Sequence, residues 1–394
     1  MSSIAEPYQD RLARTIQAAN PALSAAVIEA FRVIPRHPFV EAYYVHDEAN
    51  GRLWTKREHD GSVAWYEQIY QDDALVTRVD QQGRPLSSSS QPGVMASMLE
   101  ALSLRPGMRV LEIGTGSGYN AALLAHLVGS PRLVTTLDLD PEVIERARQC
   151  LPQVVGEGMT IVETDGALGY APGAPYDRII VTASTRQVPL AWLEQLASGG
   201  VLVGILQPRY ALLGGLLQAH KYGKELHGRL LQPVSFMPLR AADSLKRSIY
   251  VDIRIPIFAS FPCDARLFPP RFLREDHHFA FFLAYDLPDL SVFVKDEAVF
   301  ISREALPGGF VVLRPEPVPQ VSLRGDRAIA CALWNRLVRA FSLWQHLERP
   351  AIAQYQFEMD MSGQALSLRT YQGKVWPFGF WTMGEEKNHA PSDG

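Results

Sequence analysis

Residues 110–120 read VLEIGTGSGYN, and this run decides the fold. Val110, Leu111 and Ile113 are apolar strand formers, Gly114, Gly116 and Gly118 follow directly, and residues 121–127 (AALLAHL) favour helix. Glycine allows a sharp turn and lets a ligand approach the backbone with no Cβ in the way. The helix start then offers free N–H groups to a polar ligand. A glycine repeat carries weight only in this setting, with a strand before and a helix after. Residues 133–137 form the next predicted strand, and Asp138 follows it. A carboxylate there suits a pair of ribose hydroxyls at the carboxyl edge of a doubly wound sheet.

The downstream chain repeats the alternation. A helix is expected at 141–150, a strand at 159–163 ending in Thr164-Asp165-Gly166, and a strand at 176–182 (YDRIIVT) with an all-apolar centre. A helix at 190–196, a strand at 201–206 and the last strands of the unit at 226–238 complete it. Alternating strands and helices mean a parallel, doubly wound α/β sheet covered on both faces.

Upstream, residues 8–18 and 24–33 read as two helices, with Ser24 placed to cap the second. IPRHPFV (34–40) is a proline-broken turn in which His37 reads as a locally bonded turn residue. Residues 47–67 read as irregular with one helical turn, and 74–79 as a strand. Four serines, 87–90, precede Gln91-Pro92 and an apolar helical face at Val94, Met95, Met98, Leu99 and Leu102. Locally, Ser90 reads as a helix cap.

From about Arg240 the pattern changes. Short strands are expected at 248–259, 278–285, 291–294, 298–302 and 310–314, a long amphipathic helix at 326–347, a hairpin at 354–360 and 366–371, and an aromatic tail at 375–381. The expected organisation is two domains, 1–240 and an additional C-terminal α+β domain at 241–394. Trp376, Phe378 and Trp381 read as core, with an exposed peptide-binding patch as the alternative.

The 394 residues carry a net charge of −4, so no basic bias points to nucleic acid. No apolar run reaches membrane-spanning length, and the N-terminus lacks signal-peptide character. Cys150, Cys263 and Cys331 form no ligand or redox pattern, so reduced thiols in a cytoplasmic protein are expected. No metal site is expected, and oligomeric state is not legible.

VLEIGTGSGYN, with SSSSQPGVMASMLEAL before it, IVETDG and YDRIIVTAS after it, and AFRVIPRHPFV near the N-terminus, resembles the protein-L-isoaspartate O-methyltransferases over residues 24–240. The resemblance implies a Rossmann-like class I methyltransferase fold, S-adenosylmethionine as donor with S-adenosylhomocysteine as product, and a peptide or protein carboxylate as acceptor. By position it implies Ser90 as the active-site serine. It also implies cofactor contacts from Ser88, Ser89, Glu112, Gly114, Thr115, Gly116, Ser117, Gly118, Asp138, Asp165 and Gly166. Ser88 and Ser89 replace the family's usual threonine and aliphatic residue. Residues 53–84 are longer and different, and the C-terminal domain is absent from the repair enzymes that act on damaged protein. These departures look more like a subgroup that methylates aspartate in ribosomally made precursor peptides, whose ester closes to an aspartimide. Repair of isoaspartyl residues in damaged proteins is the alternative.

A carboxylate acceptor is ionised at neutral pH, so the chemistry asks for no general base. It asks for orientation, which Ser90 can supply as a hydrogen-bond donor; a covalent serine role is rejected. Two further classes compete. A nicotinamide dehydrogenase shares the sheet type, but GTGSGYN lacks the third glycine of its fingerprint. A non-catalytic binding protein keeps the fold, but would not need Ser90, Asp138 and Asp165 together.

Overall fold

The computed structural model describes residues 4–382 apart from 48–51, 82, 209–212, 241–259, 269–271, 296–297, 304–305, 315–318, 370–372 and 374. The chain divides into two compact units. The first gathers residues up to Ala183, Ala191–Gly204 and the segment from Met237; the second gathers Ser184–Leu190, Ile205–Phe236 and the chain beyond.

In the first unit, helices α1 (Glu6–Ala19) and α2 (Ala25–Val33) open the chain. Ser24 caps α2, its side chain accepting from the Val27 N–H. Strands β1 (Ala42–Asp47) and β2 (Arg52–Glu58), helix α3 (Val63–Ile69) and strands β3 (Leu75–Val79) and β4 (Pro85–Ser89) follow. The strands form an antiparallel sheet in the order β2-β1-β3-β4. Here the structure departs from the irregular region expected at 47–67. The strands are short and polar, so alternation is weak and pairing, not burial pattern, defines them.

Helix α4 (Pro92–Leu102), strand β5 (Val110–Ile113), helix α5 (Tyr119–Val128), strand β6 (Val134–Asp138), helix α6 (Pro141–Val155) and strand β7 (Thr160–Glu163) come next. Strand β8 (Tyr176–Thr185), helix α7 (Leu190–Gln195) and strand β9 (Leu196–Leu206) complete the alternation. The order is β7-β6-β5-β8-β9, with β5, β6, β7 and β8 parallel. Val110, Leu111 and Ile113 of β5 and Ile179, Ile180 and Val181 of β8 are fully buried, as strands covered on both faces must be. The chain winds outward from β5 through β6 and β7, then returns to β8 on the other side of β5. That reversal opens a crevice at the carboxyl ends of β5 and β8.

In the second unit, β10 (Gly214–Tyr222) and β11 (Glu225–Val234) form an antiparallel hairpin through Gly223 (φ 61°). Strand β12 (Ser260–Cys263) and helices α8 (Phe272–Glu275) and α9 (His277–Asp286) follow, then β13 (Leu290–Lys295), β14 (Ala298–Arg303), β15 (Leu306–Arg314) and β16 (Gln320–Gly325). Helix α10 (Arg327–His346) leads to β17 (Tyr355–Met359), β18 (Gly363–Arg369) and β19 (Val375–Thr382). β11 pairs with β17, which continues antiparallel through β18 to β19. A second antiparallel sheet runs β12-β16-β15-β14-β13 and carries α10 on β15 and β16. Phe279, Phe341, Trp344 and Phe268 form the aromatic core there, with neighbouring ring centroids 5.1–6.0 Å apart.

Three expectations are corrected. Residues 278–285 are helix α9, capped by Asp276, which accepts from the His278 and Phe279 N–H groups. The strands within 226–238 belong to a hairpin of the second unit, so that unit begins before residue 240. Helix α4 is capped by Gln91 without a side-chain bond, so Ser90 is not its cap. The strand expected at 248–259 lies outside the described residues.

Candidate active site

The crevice of the first unit holds a cavity walled by β4 with Ser90, the glycine turn after β5, the end of β6, Gly166, Thr182 and Met237–Arg240. Gly114 turns at φ 98°, and a Cβ there would stand 2.7 Å from the Thr182 hydroxyl. That hydroxyl donates to the Gly114 carbonyl at 2.6 Å. At Gly116 (φ 53°) a Cβ would stand 3.1 Å from the Ser88 carbonyl. The loop thus needs glycine both for its dihedrals and for its approach to β4. The Gly114 and Thr115 N–H groups donate to the Leu137 carbonyl at 2.8 and 2.9 Å, fixing the loop to β6.

Asp138 ends β6 in the cavity wall. It accepts from the Gly116 N–H and the Asp140 N–H, both at 3.1 Å. Burial pushes its carboxyl above the usual carboxylate range, opposed by those two N–H groups and by Arg240. Arg240 Nη2 lies 4.0 Å from Asp138 and 3.7 Å from Asp140. Arg78 of β3 pairs with Asp140 and, at 2.7 Å, with Glu142.

Behind the loop lies a chain of polar groups. Asn120 donates to one Glu112 oxygen and the Thr136 hydroxyl to the other, each at 2.6 Å. With the Thr136 proton committed, Thr115 Oγ1 donates to Thr136 Oγ1 at 2.7 Å. Glu112 is fully enclosed, and burial raises its carboxyl to about 7. Asn120 reaches the cavity wall, and its Oδ1 is buried with no hydrogen-bond partner among the described residues.

Ser88, Ser89, Ser90, Gly114, Thr115, Gly116, Ser117, Asp138 and Gly166 therefore share one cavity. Three expected residues do not line it. Glu112 stands behind the loop, bonded to Asn120 and Thr136. Gly118 faces Phe39 and Leu151, 3.4 and 3.6 Å from where its Cβ would be. Asp165 caps a short turn through the Ala167 N–H at 2.9 Å. The Ser89 hydroxyl accepts from Arg36 Nε at 3.2 Å, whereas the Ser90 hydroxyl makes no hydrogen bond among the described residues. Sequence reasoning missed Arg36, Asn120, Arg78 and Arg240. Arg36 lies between Pro35 and His37 in a segment whose ends, Ile34, Phe39 and Val40, are apolar, the one signal that pointed to its burial.

A parallel sheet reversing at β5, a glycine turn and an acid at the end of the neighbouring strand define a Rossmann-like nucleotide-binding fold, the fold of the class I methyltransferases. The family model described as protein-L-isoaspartate(D-aspartate) O-methyltransferase matches residues 49–244. A protein-L-isoaspartate O-methyltransferase of Ignicoccus hospitalis is 44% identical over 155 residues, covering 38% of this chain and 71% of that protein. One from Methanococcus maripaludis is 35% identical over 214 residues, covering 54% of this chain and 87% of that protein. The chain belongs to the protein-L-isoaspartate O-methyltransferase family. A solved structure of that title superposes with a TM-score of 0.53 at 22% identity, over 89% of this chain and 96% of that one. A chain so titled therefore shares fold over more than the methyltransferase part, so extra length does not by itself set this protein apart.

The cofactor of this chain is S-adenosylmethionine, and the cavity fits it. The Asp138 carboxylate keeps lone pairs for a diol beyond its two backbone donors. The orphaned Asn120 acceptor stands beside a glycine cradle suited to the zwitterionic end of such a molecule.

Proposed function

We propose that this chain methylates an aspartyl or isoaspartyl carboxylate in a peptide or protein and so promotes closure to a succinimide. The observation that carries this is the Ser90 hydroxyl, without a hydrogen-bond partner among the described residues, in the same cavity as the glycine turn and Asp138. S-adenosylmethionine, when bound, supplies an electrophilic methyl group. Asp138 accepts from ribose hydroxyls, and the turn at 114–117 approaches the donor with backbone alone. Ser90 donates to one oxygen of the ionised acceptor carboxylate and so aims the other oxygen at the methyl group. Holding that geometry is worth up to about 7–11 kcal/mol of barrier. Glu112 is enclosed behind the loop and takes no proton from the acceptor. In the ester formed, the following backbone nitrogen attacks the carbonyl, methanol leaves, and a five-membered ring closes.

For the acceptor, we favour a ribosomally made precursor peptide, with residues 241–394 contributing to its recognition. The sheet of β1 to β4, whose last strand ends at Ser89 just before Ser90, and the exposed Trp376 and Val375 on β19 support this. Repair of isoaspartyl residues in damaged protein is the second reading, favoured by the names of the relatives.

Methyl transfer to an isoaspartyl peptide and to its normal aspartyl counterpart tests both readings. Ester on the aspartyl peptide alone supports the precursor role, and ester on the isoaspartyl peptide alone supports repair. Ser90→Ala is expected to lower turnover at least tenfold while S-adenosylhomocysteine affinity stays within twofold. Full turnover in that variant would remove Ser90 from the chemistry. Protection from thermal unfolding by NAD instead of S-adenosylhomocysteine would replace the methyltransferase reading with a dehydrogenase.

A further inference from the structure

Arg36 is completely buried, yet among the described residues no carboxylate pairs with it directly. An isolated buried charge is costly unless every N–H finds an acceptor. Here every one does. Nε donates to the Ser89 hydroxyl at 3.2 Å. Nη1 donates to the carbonyls of Ile69 and Gln71 at 2.9 and 3.0 Å. Nη2 donates to the carbonyls of Asp73, Ser89 and Ser90 at 2.9, 3.2 and 3.1 Å. Burial lowers the guanidinium to about 10, so it remains charged at neutral pH. One side chain thus ties the turn at 69–73 to the two residues that carry the reactive serine.

The same turn grips the far side of Ser90. Asp72 Oδ1 accepts from the Gly93 N–H at 2.6 Å, at the first turn of α4. A Cβ on Gly93 would stand 2.6 Å from Asp72, so glycine is what admits the carboxylate. A carboxylate at a helix N-terminus is favourable, because it satisfies a free N–H and meets the positive end of the dipole. Ser90 is therefore flanked by two charge-assisted anchors on one turn, Arg36 before it and Asp72 after it. Its own hydroxyl takes part in neither. Mere stability would be served more simply by apolar packing, since a buried charge seldom adds net stability. Fixed carbonyls on both sides instead hold the backbone that aims the free hydroxyl.

We infer that Arg36 and Asp72 are positioning residues for Ser90, braced on the turn at 69–73; this rests on the reading of Ser90 as the donor to the acceptor carboxylate. Arg36→Lys keeps the charge and loses the fork, since three N–H groups cannot serve six acceptors. Asp72→Asn keeps the shape and loses the charge.

The experiment compares both variants with Ser90→Ala, each assayed at least 15 °C below its own melting temperature with whichever of the two peptides the unaltered chain methylates. Arg36→Lys is expected to lower kcat tenfold or more, and Asp72→Asn threefold or more. S-adenosylhomocysteine affinity should stay within twofold, and Asp72→Glu should recover part of the loss. Amide hydrogen exchange in the S-adenosylhomocysteine complex is the second readout. Exchange at 89–93 should quicken at least fivefold in both variants, while that at 114–118 holds. Unchanged kcat and unchanged exchange at 89–93 in folded variants would overturn the brace. Full turnover in Ser90→Ala, with exchange still quickened by Arg36→Lys, would instead leave the brace and remove the role of Ser90.

Discussion

Glu112 shows how enclosure sets a residue's behaviour. Its carboxyl, near 4.5 in an unstructured chain, rises to about 7 when folded, because burial disfavours the charge more than Thr136 and Asn120 stabilise it. The folded state therefore holds the proton more tightly. The associated stability is complete below pH 4.5 and is lost as the pH rises through 7. Relative to Glu112→Gln, the unaltered chain is expected to lose roughly 3 kcal/mol between these limits, measured by urea unfolding at several pH values. Parallel curves for the two proteins would mean that the carboxyl titrates normally. Asp138 differs because its oxygens face the cavity. Asp138→Ala is expected to weaken S-adenosylhomocysteine by about 1.5–3 kcal/mol per charge-assisted bond lost, read by calorimetry. Unchanged affinity would remove it from the site. Asp138 was legible in the sequence because its place at a strand end is a local property. Arg36 was not, because its partners lie in the turn at 69–73, far away along the chain; Asn120 was not, because its bond to Glu112 forms only once the glycine turn folds the start of α5 back onto β5.

At the scale of the element, α10 was legible almost to its ends. Ala330, Leu333, Leu337, Ala340, Phe341 and Trp344 fall on one buried face, and Asp326 accepts from the Ile329 N–H at 2.9 Å. Asp326→Ala is expected to cost about 1 kcal/mol, seen as a lower melting temperature with cofactor affinity unchanged. No change in melting would mean that water replaces the cap. Helix α9 was illegible for the opposite reason. Phe279, Ala280, Phe281, Phe282, Leu283 and Tyr285 are all buried, so the helix has no polar face to reveal its period. In the small sheet only β3 was legible, as the strand expected at 74–79; β1, β2 and β4 escaped because they are short and their weak alternation leaves little burial pattern to read. The last of them, β4, nonetheless leads directly into Ser90, the residue on which the proposed chemistry depends.

For the molecule as a whole, the sequence reads as two consecutive stretches, 1–240 and 241–394, whereas the two compact units of the chain are interleaved. The second unit takes up Ile205–Phe236 before the first resumes at Met237, a segment that lines the cavity. A chain ending at Arg240 would keep the cavity wall but strip β11 of its partner β17, whose register runs Leu226↔Met359 to Arg229↔Gln356. Leu226 and Leu230 are fully buried, so such a chain is expected to aggregate on expression. A soluble monomer that binds S-adenosylhomocysteine would show that the hairpin stands without β17. The proposed acceptor role of the second unit is better tested in the full chain. Trp376→Ala is expected to raise the acceptor KM at least tenfold with cofactor affinity unchanged, as loss of an aromatic anchor does. The interleaving also has a consequence for how the protein is made. β11 leaves the ribosome about 120 residues ahead of β17. At about 5–20 residues per second, its edge waits on the order of 6–24 s for a partner. Throughout that interval the newborn chain carries a ready template for wrong pairing, a window in which a chaperone, and not the finished fold, decides its fate.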